Sequence, residues 1–156
     1  MVTSVYGRRS PVALLVIGFV AGALAVFIFH QLTILLLSLG AATPGNVYSM
    51  RPIPPFGVPA VFNQAFWGGL WGCVFALVAD RFPRSWPLWL AGLVFGAVGP
   101  TLVGWFVVAP LKGNPVAQGF DAARMWRGPV INGMFGLGLG IFFDLLRRLS
   151  ARARWA

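Results

Sequence analysis

The chain of 156 residues is 58% hydrophobic and only 10% charged, with a mean hydropathy of +0.81, whereas soluble domains carry roughly 25% charged residues. This leaves too little polar surface for a water-facing globule and predicts one transmembrane domain over residues 1–156. Twelve basic residues against three acidic ones give a net charge of +9; the arginines cluster at the ends of apolar runs, which fits anionic lipid headgroups and argues against a nucleic-acid partner.

Arg8 and Arg9 precede the first apolar run, 11–40, which is broken only by His30, Gln31, Thr33 and Ser38. A secretory signal has an apolar core of about 7–15 residues, so this run reads as a retained span. Its length also outweighs the hint of a twin-arginine export signal in Arg8-Arg9. Thirty helical residues would reach about 45 Å, more than the hydrocarbon core, and predict a tilted helix. The connector that follows holds five prolines from Pro44 to Pro59. It is predicted to be extended and turn-rich at the membrane surface, anchored by Tyr48 and Phe56.

A second span is predicted over 62–80. At 100° per residue, Gly68, Gly69, Gly72 and Ala76 fall on one stripe, with Trp67, Leu70 and Val74 opposite. Interior glycines cost a helix in water about 1 kcal/mol each. In lipid a smooth glycine face lets another backbone approach closely. The third span, 88–109, carries the stripe Gly92, Gly96 and Gly99, with a kink expected at Pro100. Asp121 is expected to cap a short surface-lying helix, Ala122 to Arg127. The fourth span, 130–146, presents Gly133, Gly136 and Gly140, as the first presents Gly18 and Gly22.

These elements predict an all-α membrane protein of four transmembrane helices, glycine faces inward, with the Pro-rich and short amphipathic connectors on the non-cytoplasmic side. The basic residues divide eight to four. Arginines 8, 9, 81, 84, 147, 148, 152 and 154 lie on the side of the termini, and Arg51, Lys112, Arg124 and Arg127 on the other. The positive-inside rule then puts both termini in the cytoplasm, in a membrane of the bacterial inner (plasma) type.

The chain also matches itself. Gly69, Gly72, Ala76, Asp80 and Arg84 have the spacing of Gly133, Gly136, Gly140, Asp144 and Arg148, and Gly18, Gly22 and Ala25 that of Gly92, Gly96 and Gly99. With four spans this would make two parallel two-helix repeats. The competing explanation is that small-xxx-small spacing recurs by chance in membrane helices.

Few residues could carry chemistry. Asp80 and Asp144 are candidates for an ion or proton site on the glycine face. The plainer reading pairs each with arginine, Asp80 with Arg81 and Asp144 with Arg148. His30 is the one candidate ligand for a haem or pigment, and a hydrogen bond to a neighbouring helix, or a place near the outer interface, is the plainer reading. Asn63 and Asn132 read as helix caps rather than as bonds across helices. Cys73, the single cysteine, reads as a small packing residue. No metal site, nucleotide loop or hydrolytic triad is present in the sequence, and no cofactor is expected.

Three functions follow in order of preference. The first is a non-catalytic accessory or scaffold component of a membrane complex, with other membrane proteins or a second copy as partners. The second is a small channel or transporter using Asp80 and Asp144, and the third a pigment- or haem-binding subunit centred on His30.

Overall fold

The computed structural model describes residues 10–40 and 46–152. Arg8, Arg9 and Arg154, which enter the charge count above, lie outside the described residues. Four helices are long and apolar enough to cross a membrane: α1 (Pro11–Leu39), α2 (Ala60–Arg81), α3 (Leu88–Leu111) and α4 (Ala122–Arg152). The architecture fits a polytopic membrane protein.

Local chemistry sets the helix ends. The Ser10 hydroxyl accepts the Ala13 amide at 3.2 Å, and Pro11 occupies the first helical position of α1, where its missing donor costs nothing. At the start of α2 no side chain caps the helix. The connector instead folds into a two-stranded antiparallel hairpin, β1 (Pro52–Ile53) with β2 (Val58–Pro59). The backbone just before it lends carbonyls to the free amides of α2: Ala60 donates to Arg51 and Val61 to Ser49, both at 3.0 Å. Asn63 therefore lies inside α2 rather than at its cap. In α4, Asp121 caps the turn Ala122–Met125 by accepting the Ala123 amide at 2.9 Å. A second helical stretch, Arg127–Arg152, follows at once. It starts before residue 130 because Pro129 falls in a first turn, where proline is tolerated. Asn132 is consequently interior to the helix, and its reading as a cap does not hold.

The helices associate as two antiparallel pairs, α1 with α2 and α3 with α4. In the first, a Cβ built on Gly18 would lie 2.4 Å from the Gly72 carbonyl oxygen, and one on Gly22 2.0 Å from that of Gly68. In the second, a Cβ on Gly92 would lie 2.2 Å from the Gly136 oxygen, one on Gly96 2.1 Å from that of Asn132, and one on Gly140 2.1 Å from that of Leu88. Backbone meets backbone at each point, so no rotamer change could make room. Gly69 and Gly133 face side chains instead, the Phe19 ring and the Ala97 methyl, and Gly99 has nothing nearer than the Trp71 ring at 3.6 Å. On α3 the buried face passes from Gly96 to Pro100 and Thr101, leaving Gly99 beside it.

The pairs join mainly through α1 and α4, where the Phe29 side chain packs against Gly138 and its ring meets Phe142 edge-on. Gly138 was not singled out by the spacing. Between α2 and α3 the contact is aromatic: Phe95 meets Trp71 and Phe75, and Phe75 also packs on Phe143 and Phe82. This cluster fills the half of the bundle nearer the termini, with Phe75, Leu139 and Phe143 essentially inaccessible.

Two helices are wound irregularly. At Val26–His30 in α1 and at Gly104–Val108 in α3 the bonding relaxes to a wider, π-type turn. In α1 the Gln31 amide bonds the Val26 and Ile28 carbonyls, passing over Phe27, whose oxygen accepts the Tyr48 hydroxyl at 2.5 Å. Tyr48 thus ties the connector to α1. Such bulges insert an extra residue, shift the phase of everything beyond them and recur at functional sites.

Candidate functional site

A cleft of about 740 Å³ lies between the two pairs, in the half of the bundle nearer the connectors. That volume is within the roughly 300–1,000 Å³ of small-molecule sites. One wall is the α2 face Asn63, Gln64, Trp67 and Trp71; the other is the α3 face from Pro100 through Gly104 and Val108 to Lys112. His30 of α1 and Asn132 and Phe135 of α4 form its back. Both widened turns therefore border the same space. The aromatic cluster around Phe75 stands beyond its far end.

Polar groups are scarce in this bundle, and they gather here. Gln31, fully buried, donates through Nε2 to Gln64 Oε1 at 2.9 Å and accepts the Tyr48 amide at 2.8 Å. Asn132 donates to Thr101 Oγ1 at 3.0 Å across the α3–α4 pair, the cross-helix bond in place of the expected cap. His30 differs. Its Nδ1 is buried and has no hydrogen-bond partner, one of two such side-chain atoms among the described residues, with Arg127 Nε. Among the described residues no donor or acceptor reaches that nitrogen. An unmet polar atom in an apolar interior costs about 1–3 kcal/mol, so its position on the wall of a cleft is informative.

Asp80 and Asp144 do not border the cleft. Asp80 lies exposed on the tight turn Ala79–Arg81 that ends α2. Arg81 donates to the Leu77 carbonyl, closing the end of the helix. Asp144 bonds Arg148 at 2.6 Å with the acid side chain 35% exposed, the i,i+4 pair that the spacing allowed. Cys73 Sγ donates to the Leu15 carbonyl at 3.4 Å within the first pair. Among the described residues no group of three or more His, Cys, Asp or Glu stands together.

Sequence reading missed Gln64, Thr101 and Lys112 as members of this region. Gln64 and Lys112 look like ordinary polar residues flanking a span. Their convergence appears only once α2 and α3 are set on opposite sides of one opening. No family model matches this chain, and neither a curated protein nor a solved structure shows significant similarity to it.

Proposed function

We propose that the chain is a non-catalytic membrane carrier or ligand-binding unit, built from two parallel two-helix repeats with its site in the cleft between them. The observation that carries this reading is the convergence of His30, Asn63, Gln64, Asn132 and Lys112 on one opening in an otherwise apolar bundle. An accessory component held together only by apolar faces would have no use for a set of polar side chains gathered on one cleft. The cleft also moves the preferred site away from Asp80 and Asp144.

The repeat is supported by the register of the contacts. Gly18 meets the Gly72 oxygen as Gly92 meets that of Gly136, and Gly22 meets that of Gly68 as Gly96 meets that of Asn132. The same offsets relate residues across the cleft: Val26 to Pro100, His30 to Gly104, Gly68 to Asn132 and Trp71 to Phe135 all border it. A site at the interface of two repeats, closed at one end and accessible at the other, is the arrangement of many carriers. The charge count supports termini in the cytoplasm and a cleft facing outward, in a membrane of the inner (plasma) type.

Thiol labelling tests the reading. In a Cys73→Ala chain in sealed vesicles, Gly104→Cys suits as a probe, because a side chain there has open space within 4 Å. A charged, impermeant thiol reagent is expected to modify Gly104→Cys and Asn63→Cys from the connector side only, and to leave Leu139→Cys unmodified. Modification of Leu139→Cys, or none at Gly104→Cys, would overturn it.

A further inference from the structure

The lining of the cleft also specifies its ligand. We propose that it binds an amphipathic anion, a molecule with one negatively charged headgroup held toward the connectors by Lys112, His30 and the Asn63 amide, and an apolar tail lying along Leu70, Trp71 and Val74 of α2. This rests on the cleft being accessible, as argued above.

Three observations carry it. The only ionised side chain on the lining is Lys112, and no carboxylate borders the space, so an anion meets attraction with no opposing charge. Next, the polarity is graded along the cleft. Lys112, Asn63 and His30 stand toward the connector end of their helices, whereas Trp71, Leu70 and Val74 stand deeper and offer only apolar surface. Finally, His30 borders the cleft and its Nδ1 is a buried ring nitrogen without a partner, a polar demand that the apolar interior leaves unmet. A small inorganic anion would leave the apolar depth unfilled. Pairing a single-headed anion with both ends uses the whole lining.

Two sources share this chemistry, a free long-chain carboxylate and an anionic phospholipid, and protection of Gly104→Cys from the thiol reagent separates them. The Cys73→Ala, Gly104→Cys chain is placed in phosphatidylcholine vesicles with myristate, with myristyl alcohol, or with phosphatidylglycerol added. Myristate is expected to slow labelling at concentrations where the alcohol does not. Protection by phosphatidylglycerol as well would identify a lipid headgroup as a sufficient source, and protection by myristate alone a free carboxylate. Lys112→Gln should raise the concentration for half-protection about tenfold, the loss of one charge-assisted hydrogen bond, and Lys112→Arg should restore it. Equal protection by acid and alcohol, or no protection by either anion while Gly104→Cys still labels, would overturn the proposal. Failure of Gly104→Cys to label at all without ligand would instead remove the accessible cleft on which it rests.

Discussion

Gly136→Leu is expected to disrupt the α3–α4 pair, with a loss of about 3 kcal/mol or more, above the usual cost of overpacking. Even the first carbon of the new side chain would lie 2.1 Å from the Gly92 oxygen and 2.8 Å from the Gly96 Cα. Both are backbone atoms in the middle of a helix, so relief requires the helices to separate. Gly72→Leu should behave alike in the first pair, where the added carbon would strike the Gly18 oxygen. Gly104→Ala supplies the contrast. It meets nothing within 4 Å, and the gain in helix propensity is worth up to about 1 kcal/mol. Thermal unfolding in detergent, followed by circular dichroism, should rank Gly136→Leu and Gly72→Leu far below the wild type and Gly104→Ala level with it or above. Equal tolerance at all three positions would mean that the glycines do not bring the backbones together.

The second large effect is expected from Gln31→Leu. Gln31 is inaccessible and holds two groups at once, the Gln64 amide of α2 and the backbone amide of Tyr48. Leucine is close in volume, so the loss is polar rather than steric. Two hydrogen bonds to part-exposed partners are lost, each worth about 0.5–1.5 kcal/mol net. Double-mutant cycles between membrane helices average nearer 0.6 kcal/mol, and a total of about 2 kcal/mol is the expectation between these scales. Because the Tyr48 amide would lose its anchor, the connector should become more sensitive to protease while α3 and α4 keep their protection. Gln64→Leu leaves the Tyr48 bond intact and should cost less. A Gln31→Leu chain as stable and as protease-resistant as the wild type would remove the network from the account.

The four helices were legible because hydropathy and length dominate in lipid, and neither depends on knowing the neighbours. Glycine spacing pointed to close-packing faces for the same reason. What each face meets was not legible: Gly140 abuts the Leu88 carbonyl, and Gly138, outside the stripe, receives the Phe29 ring. Asn132 shows the limit most plainly. Its place near the start of a predicted span suggested a cap, but the helix begins earlier, at Arg127, and the amide reaches Thr101 on another helix. Asp80 stands on the tighter turn Ala79–Arg81, where a regular wheel no longer describes the helix. His30 lies within a widened turn, where one extra residue upsets the regular 100° step. The cleft was invisible for a simpler reason. Its members come from all four helices, and each residue alone reads as an isolated polar interruption or flank.

The central claim is that small-residue faces hold the helices together in pairs, and one engineered disulfide tests it most directly. A Cβ on Gly133 would lie 3.4 Å from that of Ala97, close to the roughly 3.5–4.5 Å of a disulfide. With Cys73 replaced by alanine, an Ala97→Cys, Gly133→Cys chain in native membranes should oxidise within the chain, nearly completely, under mild oxidant. If both thiols stay reduced and react with a lipid-soluble maleimide, α3 and α4 do not face one another through these residues, and the cleft defined by the two pairs is lost with them.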